Sequence, residues 1–320
     1  MTEAIATPTN ATTKASMIDA IGNTPLVEIS RFADNPRVRM YAKLEGMNPT
    51  GSVKDRVARH LIEGLEGEGR LGPDSIILEP SSGNTGISLA MICRIRGYRV
   101  TVVMPDNVTR ERRQLLEVYG ASVIDSPGAL GSNGAIEIAR ELARGDPRYV
   151  MADQYANPLN PLAHYQTTGP EIIADCPSVD VFVAGLGTGG TLMGVGRRLR
   201  EHNADVRIYA AEPMPGEAVQ GLRSLDDGFV PEIFDASAID GRYLVSTAES
   251  IDAIRRLSAT EGIFAGVSSG GVLTVASRVA DAMESGTIVA LLADGGWKYL
   301  SEDLWRTDPD DERLESLNLW

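Results

Sequence analysis

The chain has 320 residues, 43% hydrophobic and 5% aromatic, with 30 Lys+Arg against 44 Asp+Glu for a formal net charge of −14. At roughly 100–200 residues per domain, this length predicts two domains or one large one, with a core that needs no disulfide or metal staple. The acidic balance argues against duplex nucleic acid, which needs a basic face, and the scarce aromatics argue against a base-stacking platform.

Residues 1–16 (MTEAIATPTNATTKAS) have neither a basic start nor an apolar stretch and read as a flexible tail, not a secretory signal. Beyond them, short apolar runs alternate with amphipathic segments. Strands are predicted at 38–44, 75–79, 98–104, 122–124, 179–184, 206–211 and 287–292. Helices are predicted near 53–66, 84–96, 109–119, 132–144, 161–176, 190–201, 248–261 and 270–284. The strands are continuous apolar runs such as VFVAG and IVALLA, as expected of strands buried on both faces. This is the α/β pattern, a largely parallel twisted sheet covered by helices, in two groups over 50–155 and from 156 onward.

The longest apolar run, Ile288–Ala293, falls far short of the roughly 20 residues that span a membrane. Cys93 and Cys176 fall in separate apolar segments and read as core thiols. A cytoplasmic location is expected. Segment 211–235 carries three Pro and three Gly without helical period and reads as a functional loop. Residues 301–320 hold seven acids against two bases.

In such sheets ligands sit beyond the carboxyl ends of strands, at the turns into helices. In NPTGSVKDR (48–56), Ser52 and Asp55 have capping-box spacing and place Lys54 in a first helical turn. The helix dipole disfavours a cation there, so Lys54 is either an ordinary surface lysine or an amine freed to attack a carbonyl. EPSSGNTGIS (79–88) gathers small polar residues at a helix start and reads equally as an anion site or a well-capped turn. In VFVAGLGTGGT (181–191), Gly185, Gly187 and Gly190 match G-x-G-x-x-G with Glu212 downstream, which fits a dinucleotide or a phosphate monoester. FAGVSSGG (264–271) reads first as a serine-capped helix start. The three histidines are scattered, and no metal, hydrolase-triad or Walker motif is present.

Together, IGNTPLVEI (21–29), KLEGMNPTGSVKDR (43–56), EPSSGNTGISLA (79–90), HYQTTGPEI (164–172), GLGTGGT (185–191) and GIFAGVSSGG (262–271) resemble the cysteine synthase family of fold-type II pyridoxal-phosphate enzymes. MPDNVTRERRQLLEVYGA (104–121), GEAVQGLRSLDDGFVPEIFD (216–235) and DGGWKYLS (294–301) are most similar to its O-phosphoserine sulfhydrylase (cysteine synthase B/M-like) branch.

The resemblance implies two helix-covered domains: a large pyridoxal 5'-phosphate domain from 17–49 and 156–305, and a small mobile substrate domain over 50–155. Residues 306–320 would form a C-terminal tail able to close the site. Lys54 would hold the cofactor as a Schiff base and later move the substrate's α-proton. Gly187, Thr188, Gly189, Gly190 and Thr191 would cradle the cofactor phosphate, Asn84 would bond the ring hydroxyl, and Ser268 would face the pyridine nitrogen. Ser81, Ser82, Asn84, Thr85 and Gln154 would bind the substrate carboxylate.

The implied reaction is β-replacement through an aminoacrylate: O-phospho-L-serine loses phosphate, and sulfide, thiosulfate or a thiocarboxylated sulfur-carrier protein supplies sulfur to make L-cysteine. Arg223, the sole base between 212 and 241, would grip the phosphate. The alternatives are an O-acetylserine-dependent cysteine synthase, a cystathionine β-synthase-like enzyme and, more remotely, an NAD-dependent oxidoreductase. The family expectation is a homodimer.

Overall fold

The computed structural model describes residues 13–29 and 31–305. Two strands come first, the short β1 (Leu26–Glu28) and the longer β2 (Val38–Leu44). Helix α1 (Lys54–Gly67) leads into a compact run of β3 (Ile76–Pro80), α2 (Asn84–Arg96), β4 (Arg99–Pro105), α3 (Arg110–Val118), β5 (Ser122–Ser126), α4 (Gly131–Gly145) and β6 (Tyr149–Met151). Then follow α5 (Leu159–Ala163), a π-helical turn at His164–Thr168, α6 (Gly169–Asp175), β7 (Val181–Gly185), α7 (Gly190–His202) and β8 (Arg207–Pro213). The chain finishes with β9 (Gly241–Val245), α8 (Thr247–Glu261), α9 (Val267–Ala282), β10 (Gly286–Leu292) and a 3-10 helix over Gly296–Glu302.

Two sheets result. The larger has the order β1-β2-β10-β7-β8-β9 and is parallel apart from the β1–β2 pair; the smaller, β5-β4-β3-β6, is parallel throughout. The larger sheet is thus made from both ends of the chain, and the smaller is inserted between them. The apolar strands bury both faces. Val181 and Val183 pack in one core cluster while Phe182 and Ala184 pack in the opposite one, the period of two that a strand imposes. In the smaller sheet Ile77 and Val102 face one cluster and Leu78 and Val103 the other. Ile18 and Ile21 pack into the cluster of the smaller sheet.

The sequence pattern missed β1, β6 and β9, and all three are edge strands. An edge strand faces solvent along one side, so it is short or mixed in polarity; β9 alternates half-exposed and exposed residues before Val245. The helix expected over 161–176 is broken into three pieces, with Pro161 early and a Gly169–Pro170 start to α6.

The capping box expected at Ser52 and Asp55 is absent. Val53 precedes α1 without a side-chain cap, and Asp55 turns inward to accept from Thr50 Oγ1, the Thr50 amide (2.7 Å) and Ser88 Oγ (2.5 Å). Burial of Asp55 decides this, because an exposed N3 carboxylate would have reached back to the cap. Both cysteines are free and buried. Among the described residues no helix is long and apolar enough to cross a membrane.

Candidate active site

Lys54 is the first residue of α1, and the strand register of the larger sheet sets its place. The Val53 amide donates to the Ala293 carbonyl at 2.9 Å, and Ser52 bridges Asp294, so the turn before α1 is docked on the end of β10. This delivers the Lys54 side chain into a pocket at the carboxyl end of β7 and β10. Burial pushes its amine down to about 8, with Asp294 opposing the shift. The amine is therefore partly neutral near physiological pH and able to act as nucleophile or base.

The opposite wall is the β7–α7 turn. Gly187, Thr188, Gly189 and Thr191 line the pocket together with Lys54 and Ser268. At Gly189 and Gly190 this turn has no room for a side chain. A Cβ on Gly189 would fall 2.8 Å from Phe234, and one on Gly190 would fall 2.0 Å from Asn160 Oδ1. Gly189 also has φ +85°, open to glycine without strain. The backbone amides at the start of α7 are thus open to an anion, which they could cradle. Asn160 Nδ2 donates to Thr188 Oγ1 (3.0 Å) and to the Gln154 carbonyl (2.8 Å). Thr191 Oγ1 shares a 3.3 Å hydrogen bond with Nε2 of His164, a buried imidazole kept neutral by desolvation. Ser268 stands on the far side at the second position of α9, against the backbone of Gly221, whose φ is +91°. It does not cap that helix; Gly266 occupies the cap position.

The residues expected to bind substrate form a second cluster, contributed by the smaller sheet. Ser81 Oγ accepts from the amides of Gly83 and Gly86 at 3.2 Å each, so this hydroxyl orders the turn. Thr85 Oγ1 donates to Gln154 Oε1 at 2.6 Å, which joins the β3–α2 turn to the segment after β6. Ser82 is half-buried, and its carbonyl accepts from Arg112. Asn84 bridges the clusters by donating from Nδ2 to Asp294 Oδ2 at 2.8 Å. Arg223 lies apart, at the rim. Its backbone amide donates to the Leu186 carbonyl, its guanidinium stacks over Tyr155 and Phe229, and Nη1 donates to Asn133 Oδ1 at 3.0 Å.

Glu212, needed at a ribose in the dinucleotide reading, is fully buried and already engaged. It accepts from Ser224, the Leu225 amide and Arg242. That reading loses its acidic partner, while the cradle beside an amine remains.

The residues 17–294 match the family model described as pyridoxal-phosphate dependent enzyme. The chain belongs to that family. It is 42% identical over 291 residues to cysteine synthase B of Pseudomonas aeruginosa, covering 91% of this chain and 97% of the relative. Among solved structures, an O-ureido-L-serine synthase superposes with TM-score 0.86 at 40% identity, covering 95% of this chain and all of the other. A cysteine synthase from Entamoeba histolytica superposes with TM-score 0.87 at 32% identity, covering 99% and 98%.

The protein is accordingly a fold-type II pyridoxal-phosphate enzyme of the cysteine synthase branch. Its residues fit that cofactor: a turn with room only for glycine at 189 and 190 faces a lysine of lowered pKa across one pocket. Among the described residues no group of His, Cys, Asp or Glu could hold a metal ion.

Sequence reasoning did not single out four residues that complete the site. Asp294 links Asn84 to the Tyr299 hydroxyl (2.6 Å), Asn160 ties the cradle to Gln154, and Arg112 packs over Tyr299 behind the 81–85 turn. Lys298 is fully buried and donates to Asn84 Oδ1 at 2.7 Å. Asp294 and Lys298 both lie in DGGWKYLS, whose charged residues carry no periodic signal of burial. A lysine and an aspartate inside a glycine turn look like solvated loop residues until the sheet closes around them.

Proposed function

We propose that the protein makes L-cysteine by replacing the β-substituent of an O-activated L-serine with sulfur. The observation that carries this reading is the Lys54 amine, held near a pKa of about 8 in the pocket that also contains the glycine cradle and Ser268. Pyridoxal phosphate bound there supplies the electron sink that acidifies the substrate's α-proton and lets the β-substituent depart. Lys54 Nζ takes that α-proton and returns a proton at the end of the cycle. Asn84 holds the ring hydroxyl. Ser268 offers the ring nitrogen a neutral hydroxyl, and no acid lines the pocket among the described residues. A neutral Ser268 hydroxyl would not hold the ring nitrogen protonated, which would favour prompt β-elimination. Thr85, Gln154, Ser81, Ser82 and the amides of their turn receive the substrate carboxylate and turn its β-carbon toward the rim.

Two leaving groups fit. Similarity favours O-acetyl-L-serine, since the Entamoeba enzyme carries the abbreviation OASS and another solved relative is an O-acetyl serine sulfhydrylase. Arg223 favours O-phospho-L-serine. Its guanidinium is held by two aromatic rings and a neutral amide, which leaves its charge for an anion. Steady-state kcat/KM for both donors, with sulfide as acceptor, separates the readings. If phosphate is the leaving group, phosphoserine is preferred and Arg223→Ala lowers its kcat/KM at least 30-fold while acetylserine changes less than 3-fold. A preference for acetylserine that survives Arg223→Ala assigns the acetyl ester. No β-replacement with either donor defeats the proposal. Sulfide, thiosulfate and a thiocarboxylated carrier protein remain the candidate sulfur sources, and a homodimer is the proposed assembly.

A further inference from the structure

We propose that Lys298 is a positioning residue for the cofactor: it fixes the orientation of the Asn84 side-chain amide, so that Asn84 presents a donor to the ring hydroxyl. The inference rests on the reading of Asn84 as the ring-hydroxyl partner.

An asparagine amide has two nearly isosteric ends, one accepting and one donating, and its orientation follows from its neighbours. At Asn84 both ends are determined by groups with a single role. Lys298 Nζ, which can only donate while charged, sits 2.7 Å from Oδ1. Asp294 Oδ2, a carboxylate oxygen that accepts, sits 2.8 Å from Nδ2. A flipped amide would set its NH2 against an ammonium and its carbonyl against a carboxylate. Nδ2 carries two hydrogens, and Asp294 takes one, so the other is the amide's remaining donor for a ring oxygen.

The surroundings hold Lys298 in place. It belongs to the 3-10 helix Gly296–Glu302, and its carbonyl accepts from Thr109 Oγ1 at 2.8 Å. Three residues on, Ser301 donates to Glu111 from both its amide (2.8 Å) and its hydroxyl (2.7 Å). The side chain is fully buried, and burial lowers its pKa to about 8, with Asp294 and Asp55 opposing and Arg112 adding to the shift. At that value the charged form predominates at pH 7. Even with Asp294 and Asp55 opposing the shift, a buried charge aimed at an amide oxygen is costly for a structural filler, which methionine would provide at similar volume.

The test uses full-length apo-protein titrated with pyridoxal phosphate at pH 7, reading the dissociation constant and the absorption spectrum of the bound cofactor. Wild type, Lys298→Met, Lys298→Arg, Asn84→Ala and the Asn84→Ala/Lys298→Met double variant are compared. Lys298→Met is expected to weaken binding at least 5-fold and displace the absorption band. Lys298→Arg, still a pure donor, should restore both toward wild type, and the double variant should be no worse than Asn84→Ala alone. If Asn84→Ala changes the spectrum and Lys298→Met does not, or if the two losses add in full, the role of Lys298 is overturned. If Asn84→Ala leaves both readouts at wild-type values, the reading of Asn84 itself fails. Thermal unfolding of the apo forms reports folding. Should Lys298→Met not fold, Lys298→Gln replaces it under the same criteria.

Discussion

Among single residues, Lys54 is where sequence and structure agree most closely. Its position in the first turn of a helix, after a glycine-containing loop, was visible in NPTGSVKDR; its burial was not, because a pocket is built from residues distant in the chain. The lowered pKa predicts a pH dependence. The neutral amine is the reactive form, so the rate at which apo-protein is fixed to pyridoxal phosphate by borohydride should rise as pH passes through about 8, and Lys54→Ala should abolish fixation. A flat profile from pH 6.5 to 9 would count against this assignment. Glu79 makes a second case. It is fully buried at the end of β3, Oε2 has no partner among the described residues, and burial together with nearby Asp153 raises its pKa to about 8. A folded-state pKa above the unfolded one means that its contribution is present at pH 4 and lost as pH rises toward 8. Glu79→Gln should therefore gain stability over wild type by roughly 1–3 kcal/mol at pH 8, with little gain at pH 4.5, in urea melts at the two pH values.

At the scale of elements, the sequence displayed the central strands and the long helices because burial on both faces leaves continuous apolar runs. It hid β1, β6 and β9, whose open sides tolerate polar residues, and it hid the break at His164–Thr168. That break lets α7 approach closely: a Cβ on Gly194 would lie 2.1 Å from the Pro161 carbonyl oxygen. It also directs His164 toward Thr191 of the cradle.

The elements are further joined by a buried charge network that no local pattern announces. Arg56 of α1 bonds both oxygens of Glu45 (2.8 and 2.9 Å) and both oxygens of Glu171 in α6 (2.6 and 2.7 Å). Lys43 of β2 adds a 2.8 Å ion pair to Glu171. Removing one partner strands the others, so Arg56→Met should cost about 3–5 kcal/mol in denaturant unfolding. The Glu171 carboxyl is held down at about 2 by Arg56 and Lys43 against the effect of burial. Its contribution is present above pH 4.5 and lost as pH falls toward 2, and the stability deficit of Glu171→Gln should shrink over that range.

For the whole molecule, a two-domain α/β enzyme was legible from strand–helix alternation and six ordered motifs. What alternation could not reveal is that the first strands join the last one. The pocket that receives Lys54 belongs to the larger sheet, and the 81–85 turn proposed to take the substrate carboxylate belongs to the smaller, so the proposed binding would act across the division between them. Adding L-serine to the cofactor-loaded enzyme should slow amide hydrogen exchange in residues 81–87 and 152–156 at least 5-fold while β7 changes little. Equal protection in β7 would instead indicate general tightening. Against a net charge of −14, the half-buried Lys54, the buried Lys298 and Arg112, and the amides of α7 are the local positive groups the proposed site offers an anionic ligand. The proposed closing tail, residues 306–320, lies outside the described residues, as do residues 1–12 of the N-terminal tail.

The seat of β2 beside β10 also sets an order of events during synthesis. β2 leaves the ribosome early, yet its parallel neighbour is the last strand among the described residues. The smaller sheet, whose strands all lie within 76–151, can close while β2 still waits with one edge unsatisfied. The turn carrying Lys54 docks on Ala293 and Asp294, which come later still. A nascent chain stalled before residue 286 would hold a closed smaller sheet and an unseated Lys54 turn, because the residues that dock that turn, Ala293 and Asp294, would not yet exist.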